Sequence, residues 1–517
     1  MRKIKILWTD DEIDLLQPHI QFLEQKGYEI LTATNGDDAI ELVQSNFFDL
    51  IFLDENMPGL SGLDTLGRIK QIKPTVPVVM ITKSEEEDIM DAAIGSQIAD
   101  YLIKPVKPNQ ILLSIKKNID HRRLIAQETT SAYQADFRQL GMNISNADSC
   151  SEWKDIYKKI VFWDLQLEHS EDDGMKEVLM TQKNEAEIEF SKFIRKNYIR
   201  WFSKSAEDAP LFSPSIFQKK ILKLLDNNEQ VVFILVDNLR FDQWKTIQPI
   251  ISDYYNVNEE ELYFSILPTA TQYSRNAIFA GLMPSEIERL YPKLWVHDDE
   301  DGHKNNHEEE LLKLQLARLG WKNNFHFEKI FNNRTGKKVV ESLPNLLNHQ
   351  LLVLVYNFVD ILSHANTEMQ MIRELASNDS AYRSLTLSWF QHSYLNNLFR
   401  ELSKRNVKVV LTTDHGTTRV NNPIKVIGDK KTSTNLRYKS GKNLSYNSKD
   451  LFEVTKPYEA FLPMSNLSSR YIFASCSDFM AYPNNYNHYV KYFTNTYQHG
   501  GISMEEMLIP LITLRPR

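Results

Sequence analysis

Five short apolar runs organise the first 120 residues: Lys5–Thr9, Tyr28–Thr32, Leu50–Asp54, Val76–Thr82 and Ala99–Ile103. Segments of helix length and amphipathic spacing separate them. Strands that alternate with helices cannot pair through hairpins, so they fold as a parallel, doubly wound α/β sheet. The carboxyl ends of such strands meet along one edge. Here the first strand runs into Asp10-Asp11-Glu12 and the third ends in Asp54, followed by Glu55-Asn56-Met57-Pro58-Gly59. The fourth ends in Thr82, and Lys104-Pro105 follows the fifth. Carboxylates, a hydroxyl and an ammonium are thus expected together. Clustered carboxylates repel until a cation neutralises them, and an all-oxygen ligand set suits Mg²⁺. One strand-end carboxylate alone would be read as a helix cap. Five groups in this order point to phosphoryl chemistry.

The pattern resembles the receiver domain of bacterial response regulators over about the first 120 residues. That resemblance implies a flavodoxin-like fold with Asp54 as phosphoacceptor. Asp10, Asp11 and Asp54, with the backbone carbonyl of Asn56, would hold Mg²⁺. Thr82 and Tyr101 would be the switch pair, and Lys104, before a cis Pro105, the phosphate-binding lysine. Lys83 stands where the family more often has a small residue and is expected to crowd the phosphoryl pocket.

Beyond residue 120 the character changes. Residues 121–205 hold no proline and only Gly141 and Gly174, while Trp153, Tyr157, Ile160, Val161 and Asp164 recur at helical spacing. A helical linker or bundle is expected over 121–207, entered by a helix that begins near Pro108 and continues past His121. Asp208–Ser215, with Pro210 and Pro214, marks a boundary. Residues 208–517 return to α/β, with strand runs at Val231–Val236, Tyr263–Leu267, Leu351–Phe358, Val407–Thr412 and Tyr471–Ser475. Lys425–Lys449, rich in Lys, Ser and Asn, reads as a mobile solvated loop; the sharper alternative is a basic rim for an anionic substrate. His297, His303, His307 and His326 lie in a charged, loop-like stretch and read as solvated.

The strand ends of this third region carry a second constellation: Val236-Asp237-Asn238, Thr271-Gln272-Tyr273-Ser274-Arg275, Asp360 with His364, Thr413-Asp414-His415-Gly416 and His499-Gly500-Gly501. Mixed Asp and His side chains suit zinc, and two zinc ions about 4 Å apart can activate a nucleophile and stabilise a leaving oxygen. Singly, Asp237 would cap a helix, Asp414-His415-Gly416 would be a turn, and His364 or His499 would be structural. Jointly they point to a metal site.

The set resembles the alkaline phosphatase superfamily, and Asp237-Asn238-Leu239-Arg240-Phe241-Asp242 with His499-Gly500-Gly501-Ile502-Ser503-Met504-Glu505-Glu506 resembles its PglZ branch. The resemblance assigns Asp237, Thr271, Asp414 and His415 to one zinc ion and Asp360, His364 and His499 to a second. Thr271 would be the nucleophile, forming a phosphothreonine. Asn238, Arg240 and Arg275 are candidate phosphate contacts, with helix capping or a surface position the plainer reading of each. The Thr271 window also resembles the sulfatase nucleophile motif, but threonine cannot supply a formylglycine aldehyde, so phosphate chemistry is favoured.

A receiver joined to a PglZ-type domain resembles the PorX-type regulators associated with type IX secretion. This implies a zinc phosphodiesterase acting on linear or cyclic oligonucleotides, a sensor histidine kinase as partner, and a sigma factor or secretion component as a further one. Phosphorylation at Asp54 is expected to pull Thr82, shift Tyr101 and promote a homodimer. A catalytically quiet, zinc-stabilised scaffold is the competing class. A DNA-binding output is disfavoured: the formal net charge is −8 and no helix-turn-helix of the usual size follows residue 120, so no duplex DNA binding is expected. Only two cysteines occur, Cys150 and Cys476, and neither a signal peptide nor a membrane span is evident, so a cytoplasmic location is expected.

Overall fold

The computed structural model describes residues 3–73, 76–83, 98–168, 173–203, 206–226, 229–298, 300, 302–429, 432–464 and 468–517. It comprises two compact units, one over Met1–Gln134 and one over Ala135–Glu168 with Asp172–Arg517. Among the described residues no helix is long and apolar enough to cross a membrane.

In the first unit five parallel strands lie in the order Glu29–Ala33, Lys5–Thr9, Leu50–Asp54, Val78–Thr82 and Asp100–Ile103. Leu50–Asp54 is buried throughout because helices cover both sheet faces. Alternate residues serve opposite cores. Leu7, Ile51 and Leu53 pack with Ala39, Leu66 and Ile69, while Ile6, Trp8 and Phe52 pack with Ile20, Leu23, Ile111 and Ile115. Side chains of Asn35 and Ser61 accept backbone N–H bonds and start the next two helices. Gly62 permits the second of these to begin against the strand Leu50–Asp54, since a Cβ there would stand 2.3 Å from the Asp54 carbonyl oxygen. This is the doubly wound, flavodoxin-like fold expected for the first 120 residues.

The second unit is built on a six-stranded sheet, in the order Tyr255–Phe264, Leu508–Pro516, Lys408–Thr412, Val231–Val236, Leu351–Tyr356 and Phe325–Ile330. The last four are parallel; Leu508–Pro516 runs antiparallel to both its neighbours. Two expected strands differ from this sheet's parallel set. The run at Tyr263 is the end of the edge strand Tyr255–Phe264, whose polar first half hid it. The run at Tyr471 is Arg470–Phe473, which sits in a separate three-stranded antiparallel sheet with Tyr438–Gly441 and Phe452–Val454.

Among the described residues of Lys425–Lys449, the middle is not a solvated loop. Tyr438–Gly441 is one of its strands, Ile427 and Ser445 bridge, and Arg437 and Lys439 are buried. The reason is long-range: the Arg437 guanidinium pairs with Glu506 at 2.6 Å. The linker segment contains the helices Cys150–Glu168 and Asp173–Asn197, and Trp153, Tyr157, Ile160, Phe190 and Ile194 share one core with the sheet. The Phe190 and Trp201 rings lie 6.4 and 5.7 Å from Phe264.

Candidate functional site

Among the described residues three groups of acidic and histidine side chains bring their donor atoms within 4.8 Å of one another. One is in the receiver: Asp10, Asp11 and Asp54. Lys104 bridges it, with Nζ 2.8 Å from Asp10 and 3.0 Å from Asp54. Burial pushes the Asp54 carboxyl up, Lys104 opposes that, and Asp10 adds to it. Burial works against the Lys104 charge, but the bonds to Asp10 and Asp54 outweigh it. The Lys104–Pro105 bond is cis. Thr82 ends its strand and donates to Glu55, Tyr101 is exposed, and Asn56 lies just beyond the strand Leu50–Asp54. Lys83 does not crowd the pocket: its side chain is exposed and reaches Glu12 at 4.0 Å.

The other two groups are in the second unit: Asp237, Asp414 and His415, and Asp360, His364 and His499. Three parallel strands deliver them. Val231–Val236 ends at Asp237, and Lys408–Thr412 leads to Asp414 and His415. Leu351–Tyr356 leads into the helix Phe358–Glu368, where Asp360 and His364 share one face at i, i+4, 3.5 Å apart. His499 follows the short strand Thr496–Gln498. Its ring stacks on His415 with centroids 4.2 Å apart.

Thr271 is the first residue of the helix Thr271–Ala280. Its Oγ1 lies 3.0 Å from His415 Nε2 and 3.5 Å from Asp237 Oδ1. The helix's free N–H groups and dipole favour an anion at that end. His364, with its side chain 62% exposed, leaves the second group open to solvent.

The donor chemistry fits metal ions. Nδ1 of His415 meets the Gly416 carbonyl at 3.1 Å, and Nδ1 of His499 meets that of Thr269 at 3.2 Å. A carbonyl only accepts, so each Nδ1 carries the proton and each Nε2 lone pair faces the acidic groups. Asp414 Oδ2 is buried without a hydrogen-bond partner. Burial and the neighbouring Asp237 carboxylate push Asp414 well above the usual range, and the same two causes bring Asp360 to about 6. Burial holds both His415 and His499 below the ordinary imidazole value. Neutral imidazoles beside crowded carboxylates are what a cation requires of its ligands.

Asn238, Arg240 and Arg275 support this cluster. Asn238 adopts φ 66°, a region asparagine tolerates, and spans both groups. Its backbone N–H donates to Asp414 at 3.4 Å, and its side chain donates to Asp360 at 3.4 Å and to Ser363 at 3.1 Å. The two arginines are not placed as phosphate contacts. Both are buried, with guanidiniums committed to carboxylates: Arg275 to Asp237 and Glu308, each at 2.6 Å, and Arg240 to Asp242 and to Asp379 at 2.9 Å.

Several supporting residues escaped sequence reasoning. Glu308 is fully buried and pairs with Arg275 and Lys329. Lys183, from the linker, reaches Glu505 at 2.6 Å and Asp379 at 3.5 Å, and the neighbouring Glu187 accepts from the Met504 N–H at 3.1 Å. Asp164 and Glu168 hold Arg383, which also meets Asp242. Linker helices therefore brace the segments after Asp237 and after His499. These pairs join residues far apart in the chain, and no local pattern announces them.

The BREX system PglZ alkaline phosphatase-like domain matches residues 216–514. The chain belongs to the PglZ family. The PorX response regulator linker domain matches residues 123–202 and the response regulator receiver domain residues 6–116. The three together make the chain a PorX-type receiver–PglZ fusion. The transcriptional regulatory protein ZraR of Klebsiella oxytoca is 32% identical over 139 residues, 27% of this chain and 31% of that protein. The alginate biosynthesis transcriptional regulatory protein AlgB of Pseudomonas syringae pv. tomato is 37% identical over 123 residues, 24% and 28%. The chain thus spans about a third of the length of these curated relatives. A receiver domain structure from Clostridium thermocellum is 33% identical and covers 23% of this chain and 98% of its own, with a TM-score of 0.22. A CheY-like one from Methanospirillum hungatei is 26% identical, covering 23% and 96%, at 0.23.

Proposed function

We propose that this response regulator is a metal-dependent phosphodiesterase governed by phosphorylation of Asp54, with domains over 1–120, 121–207 and 208–517. The observation that carries the reading is the Thr271 hydroxyl, 3.0 Å from His415 at a helix amino terminus and beside two Asp/His groups. Two zinc ions, held by Asp237, Thr271, Asp414 and His415 and by Asp360, His364 and His499, would lower the hydroxyl pKa and neutralise phosphoryl charge. Thr271 Oγ1 forms the bond to phosphorus as the bond to the leaving oxygen breaks. Water then cleaves the phosphothreonine and restores the hydroxyl. The first helical turn orients the phosphoryl oxygens, and Arg275 holds Asp237 in place. The substrates are linear or cyclic oligonucleotides.

In the receiver, Asp10, Asp11, Asp54 and the Asn56 carbonyl hold Mg²⁺, a sensor histidine kinase supplies the phosphoryl group, and Lys104, Thr82 and Tyr101 read it. A phosphorylation- or zinc-promoted homodimer and a sigma factor or secretion component complete the proposed role in type IX secretion.

Hydrolysis of bis-p-nitrophenyl phosphate and p-nitrophenyl phosphate, with zinc, tests the enzyme. Wild type should favour the diester, and Thr271→Ala should keep its zinc and lose cleavage. No cleavage by zinc-loaded, Asp54-phosphorylated wild type would leave the scaffold reading standing instead.

A further inference from the structure

A cavity of about 730 Å³ lies in the second unit, and none of its lining residues belongs to the Asp/His groups. Its size falls within the roughly 300–1,000 Å³ typical of small-molecule sites. The linker helix Asp173–Asn197 forms one wall; the segments around Lys425, Lys449 and Ser475 form the others.

Cations outnumber acids in its lining. Arg195 is held rigidly but by neutral groups: it donates to the carbonyls of Lys449 and Leu451 at 3.3 Å, to that of Asp450 at 3.2 Å and to Ser475 Oγ at 3.3 Å. Its Nε is buried without a partner. Lys425 and Lys449 are exposed and enter no ion pair among the described residues. The cavity's acids are two, against the four cations Lys192, Arg195, Lys425 and Lys449: Asp450 is exposed, and Asp478 is bonded by Asn422 at 2.6 Å, with burial raising its pKa. Pro423, Ile424 and Tyr486 give a partly apolar wall.

We propose that this cavity is a second ligand site, which takes a phosphorylated, nucleotide-sized molecule. Lys425 and Lys449 receive the phosphates, the fixed charge of Arg195 favours them there, and the wall of Pro423, Ile424 and Tyr486 receives the flat base. The site stands independently of whether the Asp/His cluster hydrolyses phosphodiesters. It is also placed to be felt there. Arg437 donates to the carbonyls of Ser475, at 3.2 Å, and Asp478 on the cavity floor, and it grips Glu506. Glu506 in turn accepts from the Gly501 N–H at 2.8 Å, two residues beyond His499.

Isothermal titration of the full chain with ADP tests the proposal, using wild type, Lys425→Glu/Lys449→Glu and Lys425→Arg/Lys449→Arg at equal metal loading. Neither lysine belongs to the Asp/His groups, so any binding there contributes equally to all three. Charge reversal should weaken one ADP site at least tenfold, the arginine pair should retain it, and adenosine should not bind. Both lysines are exposed, so unfolding midpoints without ligand should coincide. Equal ADP titrations of wild type and the charge-reversed chain, adenosine binding as tight as ADP, or no ADP binding at all would overturn the site.

Discussion

Replacing Arg437 with methionine tests the claim that Lys425–Lys449 is structural. Arg437 and Glu506 are both 0% exposed. The Glu506 carboxylate accepts from Arg437 Nη2 at 2.6 Å and Nε at 3.1 Å, from the N–H groups of Gly501 at 2.8 Å and Ser503 at 3.0 Å, and from Ser503 Oγ at 2.7 Å. Removing the guanidinium strands a buried negative charge, a change that costs about 3–5 kcal/mol. Three donors remain on the carboxylate, so the expected loss is near the lower end, about 3 kcal/mol. Urea unfolding followed by tryptophan emission reads this out, because every tryptophan but Trp8 lies in the second unit. Adding Glu506→Gln removes the stranded charge and should recover at least about 1 kcal/mol. A loss under about 1 kcal/mol for Arg437→Met, or no recovery in the double variant, would refute the reasoning.

Chelation should lower the unfolding temperature of the second unit, and zinc should restore it, because the crowded carboxylates of Asp237, Asp360 and Asp414 lose a neutralising cation; an unchanged midpoint would count against metal ligation. Burial pushes the Lys439 ammonium down to about 7, well below its unfolded value. The unfolded chain then binds the extra proton above pH 7, so wild-type stability relative to Lys439→Met should rise from pH 7 towards 10, by at most about 1.4 kcal/mol per unit. Parallel pH profiles for the two chains would contradict that. Asp54→Asn should abolish Mg²⁺-dependent labelling by acetyl phosphate on phosphate-affinity gels, and continued labelling would place the acceptor elsewhere.

Much of this architecture is legible in the chain because its signals are local. The strands Lys5–Thr9, Leu50–Asp54 and Val231–Val236 are marked by apolar runs that burial on both faces demands. The strand ends announce the chemistry, since a parallel sheet must gather them at one edge. The division of Asp237, Thr271, Asp414 and His415 from Asp360, His364 and His499 comes from the family resemblance, and the acidic and histidine members of each set lie together in space. The misreadings have a common physical source. Arg240 and Arg275 look like free cations beside a phosphate site, but Asp379 and Glu308, far along the chain, neutralise them. Arg437 looks solvated because its neighbours are polar, yet Glu506 buries it.

The sequence by itself located the receiver's five strand runs and placed carboxylates and histidines at strand ends, because periodicity and residue type act over a few positions; the family resemblance then named the candidate phosphoacceptor and donor set. Tertiary structure decided the rest: which strands run antiparallel, which arginines are spent on internal carboxylates, and that linker residues such as Lys183 and Glu187 brace the segment after His499. Buried charges must find partners wherever the fold brings them, and that pairing is a property of three-dimensional proximity, which no local pattern encodes.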